Sequence, residues 1–183
     1  IGFDTAVNTV MEMVDRLRDT SQSHDRCSIV EVMGRKTGHI ALAAGIACGA
    51  IAILVPEIEF DLERDVVSKM LRTMQSGKHH FVIVAEGVGN TAEMGYYIQQ
   101  RTGIATRGTI LGHVQRGGTP TARERLMASQ MGDHAVDLLK QGQGDRVVVY
   151  QNGVITDLDI KSALKMRKTI DLDLYRVANE ISM

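Results

Sequence analysis

Between Arg107 and Gly118 the chain reads Arg-Gly-Thr-Ile-Leu-Gly-His-Val-Gln-Arg-Gly-Gly, two arginines and a histidine among glycines. The run sits at the end of what reads as a buried strand. Guanidinium forks grip phosphate oxygens at two points. A histidine between them can donate to an oxygen of the same group or to a sugar hydroxyl. Glycines let the backbone turn tightly and approach a ligand. These residue types at this spacing point to a phosphate-binding strand end. Arg107 starts its strand, whereas His113 and Arg116 follow its end. At ~3.3 Å per residue Arg107 and Arg116 cannot readily clasp one phosphate in the same subunit. Arg107 is therefore structural, or it serves a site on an adjacent subunit of an oligomer.

Two more strand ends carry reactive side chains. In Glu31-Val32-Met33-Gly34-Arg35, Gly34 lets a ligand approach the backbone, Met33 offers an apolar wall and Arg35 a charge. Glu86, just past Val82-Ile83-Val84-Ala85, either caps a neighbouring helix or accepts hydrogen bonds from sugar hydroxyls. His79 and His80 lie beside Lys78 without the further partners a metal would need, and read as a solvated strand entrance. No metal site is expected.

The elements that position these groups alternate. Val7, Val10, Met11, Val14 and Leu17 recur at helical spacing over 4–18. Strands are expected at 27–33, 51–55, 80–85 and 106–111, and helices at 39–49, 62–76 and 91–102. Alternation at this pitch means βαβ units around a mostly parallel sheet, an α/β fold. Ligands bind such sheets beyond the carboxyl ends of the strands, where the groups after Met33, Ala85 and Leu111 lie. From Thr119 the pattern changes to a helix over 121–141, a hairpin turning at Asn152-Gly153 and a last helix over 172–181.

The 183 residues suffice for one sizeable domain, burying roughly 70% of the unfolded surface. A net charge of -1 argues against nucleic acid as a partner. No segment reaches membrane-spanning length and no basic leader region precedes an apolar one, so a cytoplasmic location is expected. Cys27 and Cys48 lie in apolar runs and read as reduced core residues. Ile1 stands where a complete chain has methionine, so an incomplete chain is expected.

The motifs Ile1-Gly2-Phe3-Asp4-Thr5-Ala6, Val32-Met33-Gly34-Arg35, Ala85-Glu86-Gly87 and Leu111-Gly112-His113-Val114-Gln115-Arg116-Gly117-Gly118 resemble the C-terminal portion of the bacterial 6-phosphofructokinase family. The resemblance implies a three-layer αβα fold and a fructose 6-phosphate site built at subunit interfaces of a homotetramer. By position Met33, Gly34, Arg35 and Glu86 match residues that hold the sugar, and His113 and Arg116 match the same-subunit grip on the 6-phosphate. Arg26 and Arg107 match arginines reaching in from the neighbouring subunit. Arg35 is implied near the phosphoryl group in transit, where positive charge stabilises the transition state. Arg18, Gly49 and Lys78 match effector-binding positions, although Ile51 stands where the family commonly has a glutamate supporting the effector's magnesium. Isoleucine cannot ligate that magnesium, which leaves the effector response open.

The resemblance further implies ATP and magnesium in the full-length enzyme, which phosphorylates the 1-hydroxyl of fructose 6-phosphate in glycolysis. Nothing here matches the family's glycine-rich nucleotide loops or its Thr-Ile-Asp-Asn-Asp motif with the aspartate base. This chain alone is therefore expected to bind neither cofactor and to be inactive. The implied layout is a sugar-phosphate lobe over 1–119, a helix and hairpin over 120–165 that join the nucleotide lobe, and a helix over 166–183 that returns. A non-catalytic sugar-phosphate sensor or a pyrophosphate-dependent phosphofructokinase would fit the same residues.

Overall fold

A computed structural model describes residues 2–21, 26–73 and 80–182. The chain divides into two compact units: Thr5–Gly118 with Ile170–Met183, and Ile1–Asp4 with Thr119–Thr169.

The larger unit is built on a four-stranded sheet. Its strands are β1 (Arg26–Val32), β2 (Ala52–Leu54), β3 (His80–Ala85) and β4 (Ala105–Ile110). They lie in the order β2-β3-β1-β4, all parallel. Alternation along β1 sends Val30 and Val32 into one apolar cluster, and Cys27 and Ile29 into another. The first is closed by α1 (Phe3–Ser21) through Val10 and Val14, by α2 (His39–Ala47) through Ala41, Leu42 and Ala44, and by α7 (Leu172–Ile181) through Ala178. The second is closed by Met94 and Ile98 of α4 (Thr91–Thr102), with Val66, Val67 and Met70. The result is the expected three-layer αβα fold. Small residues in α2 let it lie tight on the sheet: a Cβ at Gly45 would stand 2.5 Å from Ile53. Asn90 caps α4 by accepting from Ala92 and Glu93 N–H (3.1 and 3.3 Å), and Gly103 ends it at φ 73°.

Three expectations change. β4 is not a buried strand: of its six residues only Thr106 is buried. It is one of the sheet's two edges, and unlike β2 at the other edge its Thr-Arg-Gly-Thr lacks the apolar side chains that covering both faces would need. His80 is no solvated entrance either. It starts β3 between β2 and β1, pairs with Cys27, and is 6% exposed. The charged helix opens as a π-helical turn, Glu63–Val67, before α3 (Ser68–Thr73); residues 74–76 of the expected helix lie outside the described residues. Both cysteines are free and buried, and burial pushes the Cys27 thiol up to about 12 and that of Cys48 to about 11.

The smaller unit holds α5 (Ala122–Lys140), the antiparallel hairpin β5 (Arg146–Gln151) and β6 (Val154–Asp159), and α6 (Ile160–Ala163). Thr121 caps α5 by accepting from Glu124 N–H and donates to Asp4 Oδ2 at 2.6 Å, while Glu124 Oε1 accepts from Gly2 and Asp4 N–H (2.6 and 3.0 Å). Asp157 of β6 accepts from His134 Nε2 of α5 at 2.8 Å and from Arg146 Nε at 2.5 Å. Among the described residues of this unit the only buried hydrophobic is Leu138, whereas Leu126, Leu139, Val154 and Leu164 are each more than half exposed. No helix among the described residues is long and apolar enough to cross a membrane.

Candidate functional site

Parallel strands bring their carboxyl ends to one side. Val32 pairs with Ala85 and Glu31 with Ile110, and the ladders run one step further through Glu86 N–H to Val32 O (2.9 Å) and Leu111 N–H to Glu31 O (3.1 Å). The segments after β3 and β4 therefore leave the sheet on either side of the segment after β1.

After β1 the chain turns at Gly34–Thr37, closed by Thr37 N–H to Gly34 O at 3.0 Å. Arg35 sits in the left-handed region at φ 53°, a conformation that costs a residue with a Cβ roughly 1–2 kcal/mol. Glu86 holds the turn: its Oε1 accepts the Gly34 N–H at 3.1 Å and that of Arg35. Gly87 admits the turn, because a Cβ there would stand 2.2 Å from the Arg35 carbonyl oxygen. Glu86 thus shapes the arginine loop before it does anything for a ligand, a role its place in the sequence did not reveal.

After β4 a 3-10 turn spans Gly112–Arg116. Side chains three apart eclipse in such a turn, which puts His113 and Arg116 on one side, both exposed. Between them Gln115 turns inward and is 2% exposed. Its Oε1 accepts from Met33 N–H and its Nε2 donates to Gly112 O, both at 3.3 Å. Only this orientation of the amide satisfies both partners. The sequence reading quoted Gln115 without a role; a glutamine among exposed cations gives no sign that it is buried.

Met33, Gly34, Arg35, Glu86, His113 and Arg116 are therefore gathered at one end of the sheet, tied by backbone and carboxylate hydrogen bonds. Arg26 and Arg107 are not among them. Arg26 pairs with Ala105 and Arg107 with Ser28, so Arg107 lies three residues, ~10 Å, upstream of Ile110. Both are exposed. Among the described residues, Arg26, Arg35, Arg107 and Arg116 take part in none of the ion pairs. Exposed guanidinium groups without a carboxylate are free to meet an anion.

Of the remaining expected positions, Arg18 and Gly49 lie at the other end of the strands. Arg18 Nη2 donates to Cys48 O at 2.6 Å, Nη1 meets Asp15 at 3.4 Å, and the guanidinium stands 5.3 Å from the ring centre of Phe81 near the start of β3. Gly49 follows at φ 63°. Ile51 is buried, its N–H on Phe81 O at 2.8 Å. Lys78 and His79 lie outside the described residues. No group of three or more His, Cys, Asp or Glu among the described residues could hold a metal ion.

The fold and this cluster define an α/β protein with exposed cationic side chains gathered around one glutamate at the carboxyl edge of a parallel sheet. The family model described as phosphofructokinase matches residues 1–139, and the chain belongs to that family. Over its whole length it is 48% identical to an ATP-dependent 6-phosphofructokinase of Bacillus cytotoxicus, and it spans 57% of that relative. Phosphofructokinase from Saccharomyces cerevisiae superposes with a TM-score of 0.80 at 29% identity, covering 96% of this chain and 24% of that one. A pyrophosphate-dependent phosphofructokinase from Nitrosospira multiformis shares the fold, with a TM-score of 0.76 at 20% identity over 99% of this chain and 53% of its own.

Proposed function

We propose that the cluster binds fructose 6-phosphate and forms the acceptor half of a 6-phosphofructokinase, which transfers phosphoryl from ATP to the sugar's 1-hydroxyl. The observation that carries this reading is the gathering of Arg35, His113 and Arg116, with no ion pair on either arginine among the described residues, beside the half-buried Glu86. His113 and Arg116 grip the 6-phosphate from one side of the 3-10 turn. Met33, Gly34 and Glu86 hold the sugar. Glu86 Oε1 is occupied by the turn, which leaves Oε2 for a hydroxyl. Arg35 faces the phosphoryl group as charge develops on its oxygens.

Arg26 and Arg107 serve the site of a neighbouring copy in a cytoplasmic homotetramer, in keeping with their distance from the strand ends. The helix and hairpin over 120–165 join the nucleotide lobe, whose partner surface would cover the exposed Leu126, Leu139 and Val154. Arg18, Gly49 and Lys78 belong to an effector site; the buried Ile51 offers it no metal ligand. ATP and magnesium serve the full-length enzyme. This chain's part is to bind and orient the acceptor, and alone it transfers no phosphoryl group. Calorimetric titration of the chain with fructose 6-phosphate and with fructose tests the reading. Saturable binding of the phosphate ester, with fructose much weaker, supports it; equal heats for both remove the phosphate grip.

A further inference from the structure

Gln115 is the buried polar side chain that joins the two halves of the cluster. Its amide oxygen holds Met33 N–H at the root of the Gly34-Arg35 turn, and its amide nitrogen holds Gly112 O at the root of the turn carrying His113 and Arg116. Both bonds are to backbone, so no rotation of a neighbouring side chain loosens them. Gln115 itself is 2% exposed, and losing either bond leaves a part-buried backbone group without its partner. His113 and Arg116 lie on either side of Gln115 in sequence, so a shift of the amide moves their turn as a unit relative to Met33.

We infer that Gln115 is a positioning residue: it fixes the distance and angle between the sugar-holding loop at Met33–Arg35 and the phosphate-holding turn at His113–Arg116. The inference rests on the reading of the cluster as a fructose 6-phosphate site and adds how its two halves are kept in register. A ligand that spans both halves gains from that preorganisation. A ligand that occupies one half does not.

The test compares two ligands on the 183-residue chain, with and without the amide. Gln115→Met keeps the volume and removes both hydrogen bonds. Dissociation constants are measured for fructose 6-phosphate, which spans both halves, and for inorganic phosphate, which engages His113 and Arg116 alone. The expected result is a loss of about tenfold or more for the sugar phosphate, with inorganic phosphate held within about threefold. Equal losses for both ligands, or no loss for either, overturn the positioning role. So does an unsubstituted chain that binds the sugar phosphate and ignores inorganic phosphate, because the turn is then no independent half. An unsubstituted chain that binds no fructose 6-phosphate overturns the site reading itself. Should Gln115→Met fail to fold by thermal melting, Gln115→Asn, which stays neutral but is one methylene too short to hold both Met33 N–H and Gly112 O, carries the same comparison. Failure of both to fold makes Gln115 purely structural and overturns the inference.

Discussion

The Glu86 carboxylate accepts the backbone N–H of Arg35, so a left-handed arginine after one strand is held by an acid from the next. The same oxygen takes the Gly34 N–H at 3.1 Å. Hydrogen bonds to a charged acceptor contribute about 1.5–3 kcal/mol, toward the low end here because the site is partly wet. The left-handed backbone costs roughly 1–2 kcal/mol. The two terms are of one size, and the turn exists because its acceptor is already in place.

Arg35→Gly follows from that balance. Glycine removes the left-handed penalty but adds about 0.5–1 kcal/mol of backbone entropy to be lost on folding. Urea denaturation should find stability unchanged or raised by up to about 1.5 kcal/mol, while affinity for fructose 6-phosphate falls. A clear loss of stability would mean that the Arg35 side chain supports the fold.

Gly87→Ala should act in the opposite sense. Its Cβ meets the Arg35 carbonyl oxygen at 2.2 Å, a backbone atom that cannot swing aside. A loss of about 1–3 kcal/mol is expected, together with weaker sugar phosphate binding. Gly132→Ala is the control: this glycine lies in α5 with nothing within 4 Å of its would-be Cβ, so helix propensity should add up to about 1 kcal/mol. Equal effects of the two substitutions in urea would contradict the steric account.

Arg116→Ala removes an exposed side chain that takes part in no ion pair among the described residues, so the melting temperature should hold. Affinity for fructose 6-phosphate should drop by ~1.5–3 kcal/mol, the scale of a charged hydrogen bond to phosphate. An unchanged dissociation constant in calorimetry would take Arg116 out of the site.

Asp157 carries a pH dependence of the smaller unit. Hydrogen bonds from His134 and then from Arg146 hold its carboxyl below the ordinary carboxylate range. A group whose folded pKa is depressed adds stability that is complete above its unfolded value, ~3.9, and is lost as pH falls through the folded value. Asp157→Asn should therefore melt lower than the unsubstituted chain at about pH 6 and converge with it in strong acid. An NMR titration of the Asp157 carboxyl with a midpoint at or above ~3.9 would refute this.

Much of this arrangement was legible in the residues. Period-2 and period-3.6 patterns located the sheet and its helices, and parallel strands then force Gly34-Arg35, Glu86 and His113-Arg116 to one edge. What stayed hidden depends on neighbours distant in sequence. Thr106-Arg107-Gly108-Thr109 is too polar for a strand covered on both faces, but that β4 takes an edge of the sheet is set by which strands pair. His80 looks polar and is buried because two strands flank it. Gln115 and Glu86 make their bonds to backbone groups 82 and 52 residues away, a separation that no local spacing encodes.

Amide chemical shifts followed by NMR as fructose 6-phosphate is added to the chain test the central claim most directly, even where binding is weak. The account predicts saturable shifts concentrated at Gly34, Arg35, Gly87, His113 and Arg116, with the amides around Arg18 and Gly49 at the far end of the strands unmoved. Shifts confined to the far end, or none at saturating sugar phosphate, would contradict it.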